Sequence, residues 1–314
     1  MTEFVEPHPP LSNFDSDEDD IFESLKDKLH PVDPREANPR FEFMKLSRRV
    51  CLIERDDGAE GTGYLVGPDL MLTTAHALMG TRGIFADPDH VLIKFDQFIW
   101  NERTQTRAQG DQCGLRRIPF RDQPDVVASS IKTDPKCRRR YDDNGLDYVL
   151  VRLDRPMGLC FLPYSHRLRG WNNCSHADVP PEGKVFVVQH PLGGLQKFAE
   201  GFVPADHADR DYPHFFRYET TTLNGSSGSP IVDERRRVVG MHVGERSKPE
   251  QLGVSFQKIF ADLRSASVDV QLPPFRLTRE LMGSIFGTSS IEAKRKRGKD
   301  WRGDRLFDDI YEND

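Results

Sequence analysis

An all-β fold is what this sequence predicts, on three observations. Between Arg49 and about residue 256 the apolar residues come in short runs, Val50-Cys51-Leu52-Ile53 and Val91-Leu92-Ile93-Lys94-Phe95 among them. Asp-Gly and Gly-Pro pairs punctuate these runs, as turns between strands do. No long stretch at helical spacing interrupts them. With 314 residues the chain can bury one large core or two modest ones. Apolar residues make up 37% and charged residues 30%, and no apolar run nears the length that crosses a bilayer, so a membrane is not an expected partner.

In chain order, residues 1–40 carry 11 Asp/Glu against 4 Lys/Arg, a balance of −7 that exceeds the −6 of the whole chain. This proline-rich acidic head is expected to be largely disordered, with at most a short helix through Ile21 to Leu25. A solvated tail is the simpler reading of it, and a docking or masking arm the sharper one. Strands follow at Val50 to Ile53, Gly63 to Val66, Leu70 to Leu72, Val91 to Phe95 and Asp147 to Leu153. Residues 99–142 are polar and basic, ending Lys136-Cys137-Arg138-Arg139-Arg140, and exceed what a hairpin needs. They read as a solvated insertion, or as a basic surface for an acidic regulatory partner such as the chain's own head.

A second set of strands is expected to begin near Leu159-Cys160-Phe161-Leu162 and to continue at Lys184 to Gln189, His214 to Glu219, Ile231-Val232, Arg237 to Gly244 and Leu252 to Phe256. A short helix from Ile259 to Leu263 closes it. Beyond residue 268, Leu277, Leu281, Met282, Ile285 and Phe286 have the spacing of a docked amphipathic helix. From Ile291 onward 7 Lys/Arg face 7 Asp/Glu. The basic run Lys294 to Arg297 therefore reads as part of a solvated or self-paired tail, and nucleic acid is not expected as a partner.

Three stretches carry chemistry. Leu223-Asn224-Gly225-Ser226-Ser227-Gly228-Ser229-Pro230 suits a tight loop between two strands, with a serine side chain held outward. A serine nucleophile needs such a loop, and fixed donors must meet the oxyanion it creates. Upstream lie Thr74-Ala75-His76-Ala77, which supplies a base, and Asp147-Tyr148-Val149-Leu150-Val151, which supplies a carboxylate. In this order of His, Asp and Ser, the sequence resembles the trypsin-like serine peptidases of the chymotrypsin fold over about residues 45–265. The resemblance implies two six-stranded antiparallel β-barrels with short helices and polar extensions. It divides the chain into a head (1–42), a peptidase domain (43–268, with barrels of about 43–155 and 156–268) and a charged tail (269–314). It makes His76 the general base, Asp147 its orienting group and Ser227 the nucleophile, with the N–H groups of Gly225 and Ser227 as oxyanion donors. In trypsin-like zymogens an Asp precedes the nucleophile and pairs with a newly cut N-terminus. Ser226 stands there, so that switch is not expected. His190, in His190-Pro191-Leu192-Gly193-Gly194, is a second histidine near a strand end and reads as a loop support rather than a base.

The resemblance also shapes the pocket. Peptidases that cut after Lys or Arg carry an Asp six residues before the nucleophile, and Thr221 stands there instead. Thr222 and His242 occupy the positions that glutamyl endopeptidases use, and the run through Val243 and Gly244 is similar to that of picornaviral main proteases that select glutamine. A carboxylate entering a partly buried pocket must be met by donors, which a histidine and a threonine hydroxyl are expected to supply. Glu245, where relatives carry glycine, adds a negative charge near the pocket mouth and disfavours glutamate.

The five cysteines, Cys51, Cys113, Cys137, Cys160 and Cys174, are odd in number, and the positions that secreted relatives bridge hold Ala77 and Leu223. Met1 to Pro7 has neither a basic nor an apolar signal segment. A reducing, cytoplasmic setting is expected. A zinc site of Cys160, His166, Cys174 and His176 fits no usual ligand spacing, so neither a metal nor another cofactor is expected. The expected function is acyl-enzyme hydrolysis after Glu or Gln in a protein or peptide substrate. The competing reading is a catalytically silent peptide-binding module or adaptor on the same fold.

Overall fold

In the computed structural model the described residues are 39–265, less positions 81–82, 98–99, 102–105, 108–109, 120, 132–144, 163–167, 173, 175–177 and 248. The expected helices in the head and the tail, the Arg138–Arg140 cluster, His166 and His176 fall outside them.

The described part of the chain opens with helix α1 (Pro39–Ser47). Nothing in the pattern of PRFEFMKLS marks one face as apolar, and what holds the helix is packing. Phe43 meets Phe186 and Phe198 edge-on at 5.1 and 5.2 Å, and Leu46 is buried. Strands β1 (Val50–Arg55), β2 (Glu60–Leu65) and β3 (Leu70–Thr74) then form an antiparallel meander, followed by one helical turn, α2 (Ala75–Leu78). After β4 (Val91–Phe95) comes a two-stranded ribbon of β5 (Trp100–Asn101) and β6 (Thr106–Arg107). Next are β7 (Gln112–Cys113), β8 (Val126–Ser130) and β9 (Tyr148–Arg152). Together they make a curled seven-stranded sheet in the order β7-β4-β1-β2-β3-β9-β8.

The segment 99–142 is thus not simply an insertion. It contributes β7 and β8 to the two sheet edges, where Cys113 and Ala128 are buried. Edge strands have one neighbour and half their side chains in solvent, which explains why their sequence looked polar.

The second half starts later than the sequence suggested. Phe161 makes a single bridge to Leu168, and the first full strand is β10 (Lys184–Gln189). It is followed by β11 (Lys197–Phe202), β12 (Phe216–Glu219), β13 (Pro230–Asp233), β14 (Val238–Ser247), β15 (Glu250–Ser255) and helix α3 (Phe256–Ser265). The six strands close into a barrel, β10-β11-β12-β15-β14-β13. This is the mostly β, chymotrypsin-like two-barrel architecture, with the second barrel closed and the first a curled sheet. Val185, Val187, Phe216, Ile231 and Val239 fill the second barrel. Tyr64, Leu72 and Leu150 of the first sheet join Val188, Val232 and Met241 of the barrel in a shared core, sealed by Phe256, Ile259 and Leu263 of α3. Each such buried side chain stabilises the fold by roughly 1.5–3 kcal/mol. The shared core fixes one half against the other, and the candidate site lies across that seam.

Candidate active site

His76 sits on α2, whose first turn is gripped by Asp147 at the entry to β9. The Asp147 carbonyl accepts the Ala75 N–H at 3.1 Å, and one carboxylate oxygen accepts the His76 N–H at 3.1 Å. The other carboxylate oxygen lies 2.5 Å from His76 Nδ1. Such a contact places the imidazole proton on Nδ1 and leaves Nε2 free to accept one. Asp147 adopts φ +51°, a left-handed conformation that aspartate tolerates better than most residues. His76 and Asp147 keep 26% and 13% of their side chains exposed.

The Ser227 loop joins β12 to β13. Gly225 (φ +87°) and Gly228 (φ +89°) flank two serines, and both positions exclude a side chain on space as well as on backbone. A Cβ on Gly225 would lie 2.6 Å from the His190 carbonyl, and one on Gly228 2.0 Å from the Thr62 carbonyl. Ser226 is wholly buried and its hydroxyl accepts the Leu223 N–H at 3.2 Å. Ser227 is half-buried, and its hydroxyl donates to the Val243 carbonyl across a long 3.4 Å contact. Among the described residues, no acceptor takes the N–H of Gly225 or of Ser227. Unsatisfied donors at a tight loop are the residues from which an anion site is made.

Thr222 and His242 each bond a residue of one strand pair, since Gln251 and Tyr218 stand opposite each other on β15 and β12. The Thr222 hydroxyl donates to Gln251 Oε1 at 2.7 Å. The Gln251 amide has its orientation fixed, because Nε2 faces the Thr220 and Pro249 carbonyls at 3.4 and 3.2 Å. His242, 2% exposed, meets Tyr218 Oη with its Nδ1 at 2.8 Å. The Tyr218 phenol is pushed up by burial and stays protonated. If its O–H donates to Nδ1, both groups are satisfied; the reverse would strand a buried hydroxyl proton. The imidazole therefore carries its proton on Nε2. Burial, and secondarily a charge on His76, pushes the His242 pKa down to about 3, so the ring is neutral at ordinary pH. Val243 and Gly244 stand at a bulge between β14 and β15, the Val243 carbonyl facing Ser227. Glu245 is exposed and paired across from Gln251.

His190 is buried, with Nδ1 3.1 Å from the Gly194 carbonyl and Nε2 3.3 Å from Gln196 Nε2, so it braces the turn that follows β10. The sequence did not single out Thr62, Tyr218 or Gln251. Tyr218 and Gln251 do occupy strand positions that face Thr222 and His242, but only pairing of β12 with β15 and of β15 with β14 reveals it. Cys160 and Cys174 are free thiols, and no cluster of metal-ligating side chains occurs among the described residues.

A histidine gripped by a carboxylate and a serine on a glycine-flanked loop, carried on a two-barrel fold, are the parts that a serine peptidase needs. The chain belongs to the trypsin-like peptidase domain family, whose model matches residues 61–241. A curated relative, the uncharacterized protein y4fB of Sinorhizobium fredii, is 26% identical over 235 residues, covering 71% of this chain and 31% of that protein. The chain thus spans about a third of the length of that relative. Among solved structures, the chain is similar to the inactive form of the Rv3671c protease of M. tuberculosis (TM-score 0.46, 14% identity, 75% of this chain and 97% of that one). It is also similar to a serine endoprotease of Yersinia pestis (TM-score 0.48, 13% identity, 76% and 68%).

Proposed function

We propose that the chain is a serine endopeptidase that cuts a protein or peptide after glutamine in preference to glutamate. His76 Nε2 takes the proton of Ser227 as its Oγ attacks the scissile carbonyl. Asp147 holds the ring and stabilises the imidazolium that forms. The N–H groups of Gly225 and Ser227 receive the oxyanion. His76 then gives the proton to the leaving amine, and water releases the acyl group by the same route in reverse. The observation that carries this reading is the pair of unpartnered N–H groups that bracket Ser226 on the Ser227 loop. Reaction of the full chain with a fluorophosphonate, mapped by mass spectrometry, tests it. A label on Ser227 that is lost when His76 is replaced is expected. No label, or a label elsewhere, sinks the assignment and favours the silent binding module.

The preference for glutamine rests on hydrogen-bond polarity. The Thr222 proton is committed to Gln251, so its free lone pairs accept. His242 Nε2–H donates. A primary amide offers one acceptor and one donor and matches both, whereas a carboxylate only accepts. The exposed Glu245 repels a carboxylate further. Free Cys51, Cys113, Cys160 and Cys174 support a reducing compartment for this activity. Regulation through the acidic head or the basic segment around Arg138 to Arg140 belongs to the same proposal.

A further inference from the structure

Thr62 is a buried threonine of β2, 0% exposed, on the sheet that does not carry the nucleophile. Two of its polar atoms make three hydrogen bonds to the second half of the chain. Its N–H donates to the Ser227 carbonyl at 2.9 Å. Its hydroxyl donates to the Gly225 carbonyl at 2.7 Å and accepts the His190 N–H at 3.0 Å. The polarity is fixed: a backbone N–H can only donate and a carbonyl only accept, so the single hydroxyl proton must go to Gly225. Its own carbonyl accepts the Thr73 hydroxyl at 2.7 Å, which locks β2 to β3 at this point.

The consequence lies in the peptide planes of the loop. A trans peptide is planar, so fixing its C=O fixes the direction of its N–H. The Gly225 N–H belongs to the peptide whose carbonyl, on Asn224, accepts the Leu192 N–H at 2.6 Å. The Ser227 N–H belongs to the peptide whose carbonyl, on Ser226, accepts the Ser229 N–H at 3.1 Å. Between these two donor peptides lies the Gly225–Ser226 peptide, next to a glycine at φ +87° that has few steric barriers to rotation. Its N–H, on Ser226, donates to the Leu223 carbonyl at 3.1 Å within the loop, and its carbonyl is held from the first sheet by the Thr62 hydroxyl. The same hydroxyl, through the His190 N–H, ties the loop to the turn that presents Leu192. One oxygen thus couples both halves of the donor pair.

We propose that Thr62 is a positioning residue for the oxyanion donors, acting through Gly225 and His190 rather than on the substrate. This rests on the peptidase reading above. The first sheet then supplies the clamp for a loop that the second barrel carries, in addition to its base and carboxylate.

The test compares Thr62→Val, which keeps the shape and the N–H but removes the hydroxyl, with Thr62→Ser, which keeps the hydroxyl. Both are made in the full chain and assayed on a glutamine peptide. Loss of one oxyanion donor costs on the order of 10²–10³ in kcat, and a misplacement near 1 Å about 10², so Thr62→Val should lose about a hundredfold in kcat with KM unchanged. Its fluorophosphonate labelling rate should fall in step, and Thr62→Ser should restore both. A Thr62→Val variant with normal kcat and only a lower Tm overturns the proposal, as does a Thr62→Ser variant as impaired as Thr62→Val. Should Thr62→Val fail to fold, Thr62→Cys decides, since its thiol has the right size and donates poorly: a lower kcat at constant KM supports the clamp, and an unchanged kcat overturns it. A wild-type chain that neither cleaves nor labels brings down the peptidase reading itself, whereas an active wild type beside an active Thr62→Val variant brings down the clamp alone.

Discussion

The polarity of the pocket makes a quantitative prediction about pH. Consider two peptides that differ only in carrying Gln or Glu before the cut. In the proposed pocket His242 Nε2 is the donor and Thr222 the acceptor, and His242 does not become a cation above a pH of about 3. A glutamate fits this pattern only when protonated, because the neutral acid then has one O–H donor and one C=O acceptor, as an amide has. With an ordinary carboxyl pKa of about 4.3, roughly one glutamate in a thousand is protonated at pH 7.3, one in a hundred at pH 6.3 and one in ten at pH 5.3. The ratio of kcat/KM for Gln over Glu should therefore approach about 10³ near neutrality and fall about tenfold per pH unit toward acid. Taking the ratio cancels every pH effect that both substrates share. Direct binding of the carboxylate would flatten the slope and lower the plateau. Preference for glutamate, or a ratio that does not move with pH, would refute the polarity argument. A preference for Lys, Arg or a large apolar residue would remove the pocket assignment altogether while leaving Ser227, His76 and Asp147 untouched.

Three further outcomes are expected. Ser227→Ala and His76→Ala should each remove on the order of 10⁶ in kcat, and the double variant should lose little more, because the two act as one unit; additive losses would contradict the roles given to them. After denaturation without reduction, all five cysteines should react with a thiol reagent, and a pair protected from labelling would argue against a reducing compartment. The last concerns stability in acid. The folded chain protonates His242 only near pH 3, whereas the unfolded chain does so near 6.5, so the unfolded state binds the extra proton between those values. Stability from this group is complete above about pH 6.5 and is lost as pH falls toward 3, and denaturant titrations should show a shallower acid limb for His242→Gln than for the wild type. Superimposable limbs would mean that His242 is not buried and neutral.

The strand pattern made most of the fold legible. Runs such as Val50 to Ile53 and Lys184 to Gln189 are buried over most of their length, and apolar residues betray them. Strands β7 and β8 escaped because each lies at a sheet edge, and α1 escaped because only its packing against Phe186 and Phe198 holds it. The candidate residues His76, Asp147 and Ser227 could be nominated from the sequence for a different reason: they sit in short local contexts with strong residue preferences. Thr62 has no such context. Its hydroxyl bonds a carbonyl 163 residues away, and a threonine in a strand is ordinary. The same holds for Tyr218, 24 residues from His242, and Gln251, 29 from Thr222. Polar partners that meet only after strands pair leave no periodic trace in a sequence.

Those long-range partners also bear on how the loop is kept ready. A loop that waits for a newly cut N-terminus needs a carboxylate beside the nucleophile to receive it. Ser226 cannot play that part: it is neutral, 0% exposed, and its hydroxyl already accepts the Leu223 N–H. The neighbouring carbonyls are held by Leu192, Thr62 and Ser229, all of them in place once the two sheets have packed. The shape of the Ser227 loop is therefore coupled to the packing of the seam, where Tyr64, Leu72, Val188 and Met241 share one core.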